Sequence, residues 1–402
     1  MRRMSLAPDF PTPSPDHADT ATADRDSRNA ALSLGTTLPC DVVLYLLLPM
    51  FSDDFGVTLP QVGLLLAANR LVRIAGYGWV VRFYSRHGDR ATCLLAVAAS
   101  AVCALGYATL SGFWVLLPLR LLWGLCFAAL NLVTQALSTS LPRGAAARAG
   151  RSRAYIAAGP LLALPAGALM AQLWGPRAIF WVLVVVALSG LLAAHRLPRT
   201  VEAAPPAARR RLRLPGALDT WSFLEGFTLD GLFIIGLTYL GKDLMPGGAV
   251  LAAGLLLALR YGAEIVLSPL GGHMADRFGA ERLLVWMSLL TSVALLGFGA
   301  GLLWSCAICI VVLRALQLPL VPPIVARRYP GPGRVQALAA RSIWRDIGAG
   351  TGPLVAGVAL PLVSPVWLYG VAALMLGLAA LACGREARQV QADSKKGHVS
   401  NT

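Results

Sequence analysis

Leu64–Gly88 reads LLLAANRLVRIAGYGWVVRFYSRHG, and Leu255–Gly279 reads LLLALRYGAEIVLSPLGGHMADRFG. Both stretches open on Leu-Leu-Leu-Ala and close on a glycine, at one fixed offset. The same offset lays Gly35-Thr36-Thr37-Leu38 on Gly226-Phe227-Thr228-Leu229. Two apolar segments and the spacing between them therefore recur as a unit. Many secondary transporters are built from a repeated membrane half, with the substrate site at the seam between the halves. The repeat predicts a carrier that moves a small molecule across a bilayer.

Composition points the same way. Of 402 residues, 56% are hydrophobic and 14% charged, against about 25% charged in soluble domains. Apolar surface on this scale needs lipid as its solvent. The net charge of +15 does not signal nucleic acid, because the basic residues lie in short loops between long apolar runs, a pattern that sets topology. The runs fall at 31–51, 60–82, 91–110, 114–138, 153–174, 178–196, 220–240, 248–271, 282–300, 304–326, 339–361 and 365–384. Each approaches the roughly 20 residues a spanning helix needs. The expectation is an all-α membrane protein with 12 transmembrane helices in two pseudo-symmetric six-helix bundles, 31–196 and 220–384. A basic cytoplasmic linker, 197–219, joins them, and 385–402 is a cytoplasmic tail. Residues 1–30 are polar and rich in Pro, Asp and Thr, which predicts a disordered cytoplasmic tail; Arg2-Arg3 has no apolar run behind it and is no export signal.

Alternate loops are basic. One set holds Arg82, Arg86 and Arg90, then Arg143, Arg148, Arg151 and Arg153, then Arg196 to Arg213, then Arg277 and Arg282, then Arg327, Arg328 and Arg334; the opposite set holds only Arg177 and Lys242. The positive-inside rule places both termini in the cytoplasm, as an even number of spans also requires. The linker's Arg209-Arg210-Arg211 reads as a topology signal, with anionic lipid headgroups as the alternative partner. Lys is scarce beside Arg, Ala, Gly and Pro, a GC-rich composition that suggests a bacterial inner membrane.

Charges inside the apolar runs are the candidate chemistry, since lipid tolerates them only where they face the bundle interior or water. Asp41 sits between Pro39 and Pro49 in the first run, and Arg120 lies in the fourth, echoed by Arg314 in the tenth. Burial and a nearby cation act in opposite senses on a carboxylate's proton affinity, the balance a switchable proton site needs. Asp41, Arg120, Glu225 and Asp230 are therefore the proton-coupling candidates. Asn69, Arg70, Arg73, Arg260, Glu264 and Arg314 are the candidate lining of the substrate cavity. The repeat sets Arg73 on Glu264 and Asn69 on Arg260, so equivalent positions carry opposite charge. That mixture suits a zwitterionic or amphipathic solute, and a salt bridge that only fixes packing is the alternative for Arg73 and Glu264.

Gly272-His273-Met274-Ala275-Asp276-Arg277-Phe278-Gly279 ends the eighth helix. It resembles the G-x-x-x-D-R-x-G loop motif of the major facilitator superfamily. The first-half copy, Val81 to Gly88, keeps Arg86 and Gly88 but has Val81 and Ser85 in place of the first Gly and the Asp. As a cytoplasmic gate, the Asp can accept hydrogen bonds from a neighbouring helix N-terminus and the Arg can meet a facing carboxylate. Arg120-Leu121-Leu122-Trp123-Gly124 resembles the helix-four motif of the same superfamily. Gly159-Pro160 and Gly352-Pro353, in matching helices of the two halves, resemble the core of its helix-five antiport motif without the paired glycines that usually follow; they mark helix kinks. Asp41 before Pro49 looks like the first helix of drug and metabolite antiporters. The resemblance covers the chain after residue 30 and implies a proton-coupled exporter of a small organic solute, a drug or a secreted metabolite such as a siderophore-type chelator. It also implies a monomer with no cofactor beyond the proton gradient. A proton-linked importer and a non-transporting membrane sensor are the alternatives.

An enzyme is not expected. His17, His87, His195, His273 and His398 lie in tails or at helix ends, so no intramembrane His cluster forms. No GxxxxGK[ST] loop is present to drive an ATP-powered pump. Cys306-x-x-Cys309 has neither a second such pair nor a nearby His and reads as apolar filler, like the other scattered cysteines.

Overall fold

The computed structural model describes residues 15–199, 215–241 and 249–399. They form thirteen α-helices in order: α1 (Pro15–Leu47), α2 (Leu59–Thr109), α3 (Phe113–Ser138), α4 (Ala145–Trp174), α5 (Ala178–His195), α6 (Ala217–Glu225), α7 (Phe233–Gly241), α8 (Ala249–Phe278), α9 (Ala280–Gly299), α10 (Leu303–Gln317), α11 (Val321–Arg328), α12 (Arg334–Ala359) and α13 (Pro365–Val399). A π-helical turn, Gly226–Leu232, joins α6 to α7. No strand occurs among the described residues. Eight helical segments within them are long and apolar enough to cross a membrane.

The second and third expected spans are the two sides of α2, which breaks at Gly88 with φ 76°. Gly279, at the repeat-equivalent position between α8 and α9, has φ 92°. A side chain in this left-handed region clashes with the following carbonyl and costs about 1–2 kcal/mol, so the glycine that closes each copy of the opening motif is a conformational requirement. Gly279 has open space where a Cβ would go. Gly279→Ala is therefore expected to lower stability by about 1–2 kcal/mol through backbone strain alone, read as a drop in melting temperature of the detergent-solubilised protein. The turns after α4 and α9 carry Gly175 and Gly301, again with positive φ.

The halves are built alike. In the first, α4 crosses α1 so closely that a Cβ on Gly159 would strike the Gly35 carbonyl and lie 2.9 Å from Pro39. In the second, α12 crosses the π-turn, where a Cβ on Gly352 would lie 2.8 Å from Cα of Gly231. Small residues allow this approach where no hydrophobic driving force acts between helices. Tyr107 meets Phe180 edge to face at 5.7 Å, and its repeat equivalent Phe298 meets Tyr369 likewise at 4.8 Å. The outer surface is apolar, with Leu162, Leu192, Val266, Leu354 and Leu362 all exposed, as a lipid-facing surface requires. Exposed Trp114, Trp174, Trp181, Trp304 and Trp367 cluster at the helix ends opposite the basic loops, the usual place of an interfacial aromatic belt.

Two boundaries differ from the sequence expectation. The polar stretch before residue 30 is helical from Pro15 onward as the start of α1, because it docks on α4. Arg151 donates to Asp24 at 2.8 Å, and the Ser27 and Ser152 hydroxyls share a hydrogen bond at 2.8 Å. Residues 1–14 lie outside the described residues. Helix α13 runs on through the expected tail to Val399. Most of the linker, 200–214, with its arginine triplet, lies outside the described residues.

Candidate functional site

Asp41 on α1 is held from two other helices. Asn69 Nδ2 on α2 donates to Asp41 Oδ1 at 3.0 Å, and the Arg120 guanidinium of α3 pairs with the same oxygen. Arg120 is fully buried, its Nε donating to the Leu65 carbonyl at 3.1 Å and its guanidinium lying over the Tyr45 ring at 5.2 Å. Arg120 Nη2 and Asn69 Oδ1 make no hydrogen bond among the described residues.

The second half repeats this arrangement with more charge. Asp230, on the π-turn, accepts from Arg260 of α8 at 2.9 Å and from Arg314 of α10 at 2.7 Å. It also pairs with Arg345 of α12. Glu264 accepts from Arg314 at 2.7 Å, and Glu225 accepts from Arg345 at 2.9 Å. The correspondence follows the repeat helix by helix: carboxylate Asp41 or Asp230 from the first helix of a half, Asn69 or Arg260 from the second at the fixed offset, and Arg120 or Arg314 from the fourth, with Arg314 three residues beyond the strict place of Arg120. Asp230 lies two residues short of the strict repeat place of Asp41, within the π-turn; such turns widen a helix locally and gather at functional sites. The extra cation at Arg260 is matched by the extra acid at Glu264. Three carboxylates thus face three guanidiniums, a balance that offsets the several kcal/mol of desolvation each buried ion would otherwise carry.

Arg73 and Glu264 do not meet each other. Arg73, lying over the Phe127 ring at 4.6 Å, pairs with Asp346 of α12 at 3.1 Å. Arg70 donates to the Ala349 carbonyl of the same helix. These two arginines tie the halves together near mid-helix. Arg345 and Asp346 were missed in reading the sequence, although both stand in the apolar run 339–361 as openly as the charges that were noted.

On the side of the basic loops, the Asp276 carboxylate accepts from the Ala147 backbone N–H at 3.0 Å. Ala147 is in the first turn of α4, whose leading N–H groups have no partner within the helix. Gly272 lies against Ala146, where a Cβ would approach within 3.0 Å of Cα of Ala147. Asp276 thus caps a helix of the other half. Among the described residues Arg277 meets no facing carboxylate; its guanidinium lies over Phe278 at 5.3 Å. Arg86 is exposed and stands apart from these contacts. Replacing Asp276 by alanine removes a cap of about 1 kcal/mol, so Asp276→Ala is expected to shift the balance between closed and open basic-loop faces about fivefold. Spin-label distances between the loop ends of α4 and α8 measure that shift.

Two pseudo-repeated helical halves, buried ion pairs at their seam and an apolar outer face define a multi-pass membrane carrier. Residues 31–241 and 222–398 match the family model of the Major Facilitator Superfamily, and the chain belongs to that superfamily. Its fold is similar to that of the human organic anion transporter MFSD10 (TETRAN), with a TM-score of 0.76 and 16% identity over 90% of this chain and 99% of that one.

Proposed function

We propose that this protein is a proton-coupled secondary transporter that exports a small organic solute by alternating access. The observation that carries the reading is the arrangement built twice, Asp41–Arg120–Asn69 and Asp230–Arg314–Arg260. A carboxylate held by a guanidinium is charged and fixed. Protonation removes the charge, loosens the arginine and frees the helix that bears it. With such a group in each half and Arg73–Asp346 between the halves, proton binding alters contacts that decide which face is open. Energy comes from the proton gradient, with no cofactor. All the residues involved lie on one chain, so a monomer carries the whole cycle. The Gly-Pro elements of α4 and α12 favour antiport, and the loop charges favour a bacterial inner membrane with both termini in the cytoplasm.

Comparing metabolites in medium and cells of a strain lacking the gene and its parent, with and without iron, tests the direction. Export is expected to leave one compound accumulated inside and depleted outside; a siderophore-type compound would do so only under iron limitation. The opposite pattern would make the protein an importer.

A further inference from the structure

A narrow cleft lies between the halves, on the basic-loop side of the ion pairs. Gln135 from α3 and Arg153 from α4 line it from the first half; Ser222 and the carboxylate of Glu225 from α6, Arg345 from α12, and Leu318 and Pro322 at the α10–α11 junction line it from the second. A smaller hollow sharing Gln135 and Arg153 adjoins it and adds Asn131 and Thr134.

Three arginines reach the larger cleft, and two are neutralised. Arg341 pairs with Asp219 at 2.8 Å, and Arg345 pairs with Glu225 at 2.9 Å and with Asp230. Arg153 alone of the three has neither an ion pair nor a hydrogen bond among the described residues. A guanidinium between membrane helices is costly unless it meets an anion, and its planar fork matches a carboxylate. A cation with no direct partner, in the field of Glu225 and Glu264 but also of Arg345 and Arg314, with amide and hydroxyl groups and apolar side chains in the same lining, describes a receptor for an organic monoanion.

We propose that this cleft binds the carboxylate of an organic acid, with Arg153 as anchor and Arg345 as second contact. The inference deepens the transporter reading and rests on it. The Arg345 side chain is one-third exposed, at 33%, while its Nε holds Glu225. A carboxylate reaching Arg345 competes with Glu225 for it and disturbs Asp230, which Arg345 also holds. Solute and proton sites thereby share one residue.

The test uses the full-length protein in nanodiscs and matched pairs of acid and amide: benzoate with benzamide, hexanoate with hexanamide, N-acetylphenylalanine with its amide. Binding is read by thermal shift and by fluorescence of Trp221, which borders the cleft. The acids are expected to bind and the amides not. Arg153→Gln is expected to keep the ligand-free melting temperature and weaken acid binding at least about tenfold, the weight of a charge-assisted hydrogen bond; Arg153→Lys keeps part of it. Equal binding of acids and amides, binding of no acid, or an acid preference surviving in Arg153→Gln would overturn the proposal. Flux of the same solutes into proteoliposomes is measured separately. Acid binding without any flux would overturn the transporter reading and leave the anion site standing, whereas flux of the amides without acid binding would do the reverse.

Discussion

Arg120→Ala is expected to destabilise this protein by about 3–5 kcal/mol, the usual effect of stripping one partner from a buried ion pair, and to abolish transport. Arg120 is fully buried and joins three helices: it pairs with Asp41 on α1, donates to the Leu65 carbonyl on α2 at 3.1 Å, and itself belongs to α3. Its removal leaves Asp41 with the Asn69 amide as its remaining hydrogen-bond partner among the described residues. Arg120→Lys keeps the charge, but a single ammonium does not reproduce the guanidinium fork that serves Asp41 and Leu65 together. That variant is expected to fold and to lose most of its transport. Melting temperature in detergent and flux in proteoliposomes separate the two effects. An unchanged melting temperature in Arg120→Ala would mean that the buried pair does not hold the first half together.

Asp230→Ala is expected to be comparably severe, by about 3–5 kcal/mol, for an electrostatic reason. Three guanidiniums converge on Asp230, and without it two carboxylates, Glu225 and Glu264, face Arg260, Arg314 and Arg345. The buried cluster then carries one uncompensated positive charge. Adding Arg260→Gln restores neutrality and gives α8 a neutral amide at the place where α2 carries Asn69. The double variant is therefore expected to recover most of the lost stability while still failing to drive solute uphill. Recovery of both would mean that Asp230 serves packing alone.

Much of this site was legible in the sequence because lipid makes charges conspicuous. Asp41, Arg120, Glu225, Asp230, Glu264 and Arg314 stand out in apolar runs, and the repeat pointed to Asn69 and Arg260 as counterparts. The glycines that close the two copies, Gly88 and Gly279, both have a positive φ. The pairing was less legible. Opposite charges at equivalent repeat positions suggested Arg73 with Glu264, but pseudo-symmetry places equivalent residues in different halves, each facing its own neighbours. Arg73 reaches Asp346 and Glu264 reaches Arg314. The π-turn under Asp230 has no local signature in its residues, since it depends on the close crossing of α12. Polar composition before residue 30 read as disorder, yet a charged helix is stable where it docks, and Asp24 and Ser27 dock on α4.

The most direct test is pH-gradient-driven movement of the solute found by metabolite comparison, in proteoliposomes holding the wild type or Asp41→Asn, with solute counterflow at equal pH as the control. Asparagine imitates the protonated carboxylate and still accepts a hydrogen bond from Arg120, so the variant is expected to exchange solute in counterflow. It is expected to lose concentration of solute against its gradient when a pH difference is imposed, while the wild type concentrates it. Uphill movement by Asp41→Asn at the wild-type rate would contradict proton coupling through this carboxylate.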